Sequence, residues 1–72
     1  MYWIYVLESQ RDGVHYVGMT GTDVEDRLGR HNRGYSRYTK GHRPWRIIYQ
    51  ETCCSRSDAV KRERFLKSGV GR

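Results

Sequence analysis

Disulfide bonds cannot hold this chain together, because its two cysteines, Cys53 and Cys54, are adjacent and cannot join distant segments. That usage points to a reducing compartment. No stretch has the apolar length of a membrane helix, and Met1 to Gln10 lacks the basic start and apolar core of a signal peptide. A cytoplasmic protein without a membrane partner is therefore expected. Internal repeats and long low-complexity segments are also missing. With 72 residues there is no room for a second domain, so 1–72 reads as one domain near the size at which a single core only just offsets chain entropy.

Acidic residues are scarce, 8 against 14 Lys and Arg, giving a net charge of +6. The deficit is uneven. Residues 1–29 carry Arg11 and Arg27 against Glu8, Asp12, Asp23, Glu25 and Asp26, a balance of −3, whereas residues 30–72 carry +9. A polyanion is the natural partner, with charges that merely keep a small domain soluble as the alternative. The 6 tyrosines and 2 tryptophans among the arginines favour nucleic acid, since aromatic faces and guanidinium planes both stack on bases.

What is present is a short alternation of strands and helices. Tyr2 to Glu8 alternates in the β-branched and aromatic manner of a strand, Asp12-Gly13 signals a turn, and Val14 to Gly18 returns as the second strand of a hairpin. Thr22 and Glu25 have capping-box spacing and open a helix through about Asn32 that Gly34 can end, with Val24, Leu28 and His31 in one stripe and Arg27 beside it. Arg33 to Arg43 lacks apolar periodicity and reads as an exposed loop that Pro44 ends. Trp45 to Glu51 is the third strand. Ser55, three residues before Asp58, can start a second helix on which Ala59, Leu66 and either Arg62 or Glu63 share a face, closed off by Gly69 and Gly71. The order β-β-α-β-α predicts an α+β fold, a three-stranded antiparallel sheet flanked by helices.

Two tyrosine motifs stand on the hairpin, Trp3-Ile4-Tyr5 and Tyr16-Val17-Gly18, and an even-length loop would put both rings on one sheet face. His15 should point to the other face. Taken singly, a strand tyrosine is ordinarily a packing residue and a helix arginine a solvated charge. Together Ile4-Tyr5, Tyr16-Val17-Gly18, Arg27 with His31 one turn on, and Lys61-Arg62-Glu63 before Leu66-Lys67 resemble the GIY-YIG nuclease superfamily over Tyr2 to about Lys67. The loop Ser36-Arg37-Tyr38-Thr39-Lys40 and the run Pro44-Trp45 look most like its small stand-alone bacterial members, relatives of the excision-repair incision subunit's nuclease domain and of Slx-type endonucleases.

The resemblance implies a metal-dependent endonuclease that hydrolyses phosphodiesters in DNA, including branched or damaged forms, in repair or structure-specific cleavage. It casts Tyr5 as general base and Tyr16 as its neighbour that positions water or phosphate. A free tyrosine has a pKa of about 10, so Tyr5 would need a cationic or metal neighbour to act near neutral pH. Arg27 can supply that field and grip the phosphate. His31 could accept or relay the proton. Glu63 is the expected anchor of a single Mg²⁺ or Mn²⁺ ion, because Mg²⁺ is often held by one or two carboxylates with waters and substrate oxygens.

Gly18, ending its strand without a side chain, is expected to let backbone and phosphate approach the tyrosines. Arg30, Arg37 and Lys40 are the further expected substrate contacts. Trp3 replaces the family's opening glycine, and Met19 stands where several relatives carry a lysine, which leaves its work to His31. His15, His31, His42, Cys53 and Cys54 form no CxxC or HxxxH pair, which argues against structural zinc. A nucleic-acid-binding module that keeps the basic face but cuts nothing is the competing reading, and the sequence leaves the oligomeric state open.

Overall fold

The hairpin closes where Gly13 takes φ +77, a left-handed conformation that costs glycine little, and donates its N–H to the Ser9 carbonyl at 2.9 Å. The computed structural model describes residues 1–35 and 37–70; Ser36 and the expected helix-closing Gly71 lie outside the described residues. Strand β1 (Tyr2–Ser9) pairs antiparallel with β2 (His15–Thr20) on one side and with β3 (Trp45–Cys53) on the other, so the sheet order is β2-β1-β3. The α+β fold and the order of its main elements are those predicted.

Register decides which side chains meet. Tyr5 pairs with Gly18 and Leu7 with Tyr16, so Tyr5 and Tyr16 share a face, with His15 on the other, where it meets Glu8 at 3.2 Å. A bulge between Val6 and Leu7 leaves Ile48 without a partner in β1, and its side chain faces solvent.

Helix α1 (Val24–Asn32) covers the tyrosine face: Val24 joins Tyr5, Leu7 and Trp45 in the core, and Leu28 packs against it. Its cap corrects the sequence expectation. Asp23 is the N-cap, its carboxylate accepting from the Glu25 N–H, while the Thr22 hydroxyl turns back to Thr20 at 2.8 Å. An aspartate one residue nearer the first turn offers a charged acceptor to the unpaired N–H groups and suits the helix dipole, which outweighs the neutral hydroxyl of Thr22. At the other end Gly34 adopts φ +83, as expected of a helix-ending glycine.

Helix α3 (Arg56–Phe65) lies over the second face, where Arg62 reaches Glu51, the partner of Ile4 in the sheet, at 3.0 Å. Ser55 caps it through the Asp58 N–H, as its spacing predicted. The chain then continues in a wider, π-type turn over Leu66–Val70, so Gly69 lies inside the helical trace instead of ending it. The Ser68 hydroxyl donates to the Phe65 carbonyl at 2.6 Å, a side-chain bond across this wider turn.

The segment read as an exposed loop departs most from expectation. It contains a single helical turn, α2 (Arg37–Lys40), and Thr39 within it is fully buried. The burial is stabilised by polar pairing. The Thr39 carbonyl accepts from Trp45 Nε1 at 2.8 Å, and the Trp45 backbone is clamped by the Asn32 amide, through bonds of 2.6 and 3.2 Å. A segment docked by hydrogen bonds needs no apolar stripe, so periodicity could not reveal it.

Candidate active site

Tyr5 is 1% exposed, its ring lying across Gly18 in the neighbouring strand. A Cβ at Gly18 would come within 2.5 Å of Tyr5 Oη and 2.6 Å of Cζ, distances that real side chains do not tolerate. The glycine is thus buried under the tyrosine ring, and its missing side chain makes room for Tyr5 itself. Gly18→Ala is expected to displace the ring, lowering stability by about 1–3 kcal/mol as overpacking does. Denaturant unfolding checks this: unchanged stability would show that the sheet yields without moving the tyrosine.

From that position the Tyr5 hydroxyl meets Nε2 of His31 at 3.1 Å, and Nδ1 of His31 meets the Thr39 hydroxyl at 2.9 Å. His31 is brought inward because it belongs to the Val24 and Leu28 stripe of α1, and it is 3% exposed. Burial, together with the positive charge of Arg27, lowers its pKa, so the ring is neutral at neutral pH. The Tyr5 hydroxyl is pushed above the ordinary tyrosine range, chiefly by burial; hydrogen bonding from Arg27 opposes the rise, and the charges of Tyr16 and Glu63 add to it. Arg27 therefore acts to favour the ionised phenol, but desolvation outweighs it and Tyr5 rests as a phenol.

Tyr16 stands edge-on to His31 with ring centroids 5.0 Å apart, and Tyr38 stacks on its outer side at 6.1 Å. Arg27 is half-buried, and its Nε–H is buried without a hydrogen-bond partner among the described residues. Such a donor costs stability unless something accepts from it. Arg27, Arg30, His31 and Tyr35 line a shallow cavity of about 120 Å³ beside the buried pair.

Among the other expected residues, Arg30 is brought to this rim and Glu63 is close enough to act on Tyr5 electrostatically from α3. Arg37 and Lys40 are exposed on α2, flanking the turn that carries Thr39. Thr39 and Tyr35 were not picked out from the sequence. Tyr35 is 69% exposed, with the guanidinium groups of Arg30 and Arg33 at 5.3 and 5.8 Å from its ring centre. Its position just after a basic helix end was the available signal; for Thr39 the signal was its place in the loop that resembles the small stand-alone members.

No group of three or more His, Cys, Asp or Glu side chains converges among the described residues. Glu63 instead offers one partly accessible carboxylate, held 3.5 Å from Lys67 by a pair along the helix. A single carboxylate is a donor that suits Mg²⁺ or Mn²⁺, whose remaining positions waters and phosphate oxygens can fill. Lys67 is half-exposed and its ammonium also lies 6.0 Å from the Tyr16 ring centre, so the pair is one that solvent readily exchanges.

Comparison with known proteins gives the same frame. The family model described as the GIY-YIG catalytic domain matches residues 1–72. A UPF0213 protein of Desulfotalea psychrophila is 39% identical over 67 residues, 90% of this chain and 60% of that protein. A UPF0213 protein of Halobacterium salinarum is 40% identical over 68 residues, 93% of this chain and 86% of the relative. The chain thus spans about three fifths of the first of these relatives and most of the second. The solution NMR structure of a UPF0213 protein from Bacillus halodurans superposes with a TM-score of 0.56 at 34% identity, covering 94% of this chain and 72% of that one.

Proposed function

The chain belongs to the GIY-YIG catalytic domain family, and on that premise we propose that it is a divalent-metal-dependent endonuclease acting on DNA. The observation that carries the reading is the buried Tyr5–His31 hydrogen bond, set beside an arginine whose Nε–H has no partner among the described residues. Contact with the phosphate backbone alone needs no phenol buried on a neutral imidazole.

Hydrolysis requires a water oxygen to form a bond to phosphorus, a P–O bond to break, and the water proton to be removed. Because Tyr5 rests as a phenol, its oxygen can take the water proton as its own proton passes to His31 Nε2, leaving an imidazolium that later returns the proton to solvent. Arg27, with its unpartnered donor, places positive charge against the non-bridging oxygens. Tyr16 and Tyr38 bound the site on the strand side and restrict how the phosphate group enters. A divalent ion on Glu63 would supply polarisation of a phosphoryl oxygen and stabilisation of the leaving oxygen. Arg30, Arg33 and Tyr35 form the rim along which the flanking nucleotides would run, two cations beside an exposed ring.

The test is incubation of the protein with branched, nicked and linear DNA in Mg²⁺ or Mn²⁺ and, as control, in excess chelator. Cutting in the presence of metal alone is expected. No cutting of any of these substrates would replace the enzyme with a non-catalytic binding module on the same scaffold. In either case binding should be largely electrostatic, because residues 30–72 hold +9 of the charge. Affinity is expected to fall steeply, on the order of 10³-fold between about 50 and 200 mM salt if six phosphates are contacted. A flat salt titration would show that the basic half is not the contact surface.

A further inference from the structure

Thr39 occupies an unusual position for a residue on a basic, polar, one-turn helix. It is 0% exposed, its carbonyl accepts from Trp45 Nε1 at 2.8 Å, and its hydroxyl lies 2.9 Å from Nδ1 of His31. Trp45 is itself locked to α1 by both atoms of the Asn32 amide. The hydroxyl is therefore delivered to the imidazole by a backbone held at two further points, and it has little freedom to move away.

A neutral histidine carries one ring proton, and which nitrogen holds it decides what the ring can do. The positive charge of Arg27 acts on the Tyr5 oxygen, and a phenol proton turns away from a cation, toward the one group bonded to that oxygen at 3.1 Å, Nε2 of His31. Nε2 must then be the unprotonated nitrogen and Nδ1 the protonated one. A hydroxyl can accept through two lone pairs while directing its own proton elsewhere, so Thr39 can receive the Nδ1–H.

We infer that Thr39 is a positioning residue of the reaction centre: its buried hydroxyl accepts from Nδ1–H of His31 and so holds Nε2 unprotonated and aimed at the Tyr5 hydroxyl. The consequence for rate rests on the relay proposed above; the assignment of the tautomer does not. When the imidazole gains the Tyr5 proton, the same acceptor remains on Nδ1–H and stabilises the imidazolium. Without it the ring can take the opposite tautomer, in which Nε2–H donates to Tyr5 and cannot receive its proton. Orientation of a histidine by the group on its second nitrogen is a general device for setting its basicity.

The experiment is ¹⁵N NMR of the His31 ring in the intact protein at neutral pH, together with the cleavage rates of Thr39→Ser and Thr39→Val. The parent and Thr39→Ser are expected to show a protonated Nδ1 and an unprotonated Nε2, and to cut at similar rates. Thr39→Val, if folded, should give mixed tautomers and lose on the order of 10- to 100-fold in rate, the size seen when outer partners of functional histidines are removed. Should Thr39→Val fail to fold, the parent spectrum and the serine variant still decide the matter. An Nε2–H tautomer in the parent, a folded serine variant that has lost both the tautomer and the rate, or a folded valine variant identical to the parent would each overturn the inference. If no form cuts DNA, the nuclease reading fails while the tautomer measurement stands.

Discussion

Tyr5→Phe is expected to reduce cleavage by roughly 10² to 10⁴ while leaving the fold and most DNA binding in place, the usual range for removing a general acid–base group. The substitution keeps the ring that lies across Gly18 and fills the core with Leu7, Val24 and Trp45, and deletes one oxygen. That oxygen is bonded to His31 at 3.1 Å, so the variant leaves one buried imidazole nitrogen without its partner. The stability cost should be about 1–3 kcal/mol, as for other unsatisfied buried groups. Single-turnover cleavage and denaturant unfolding of the same preparation separate the two effects. A phenylalanine variant that cuts at the parent rate would make Tyr5 a packing residue and remove the basis of the proposed relay.

Glu63→Gln distinguishes enzyme from binder in the opposite way. Glu63 lies among Lys61, Arg62, Arg64 and Lys67, and its carboxylate pairs with Lys67. Removing its charge leaves a more basic helix. Metal-dependent cleavage is expected to be abolished, whereas DNA binding without metal should stay equal or tighten slightly, since one repulsive charge has gone. Glu63 also raises the Tyr5 pKa, so the amide should favour the phenolate modestly; a loss of cutting despite that change points to the metal and not to the base. Both quantities should be measured on one folded variant. Retained metal-dependent cutting would exclude Glu63 as the anchor.

These two outcomes depend on residues that the linear order of the chain already picked out, and the reason lies in how β-structure is encoded. Side chains alternate along a strand with a period of two, so the spacing between Tyr5 and Tyr16 across a turn marked by Asp12-Gly13 settles that both rings share a face. The stripe of Val24, Leu28 and His31 likewise tells which way α1 turns its histidine, and Ser55 announces the start of α3. Local periodicity and capping chemistry carry this information because they act between neighbours a few residues apart.

What acts between distant residues was not encoded in that way. The ring of Tyr5 claims the space over Gly18, a packing demand on the glycine that comes from the neighbouring strand. Burial, which no residue expresses alone, outweighs Arg27 and keeps Tyr5 protonated at rest. Thr39 stands in a stretch without apolar pattern and becomes the second partner of His31 only because Trp45, held by Asn32, draws its backbone inward. The hairpin and the starts of α1 and α3 follow from chemistry close along the chain, and the charge asymmetry from composition; the protonation of the site and the identity of its third member follow from desolvation and hydrogen bonds that exist only once α1, α2 and the sheet have met.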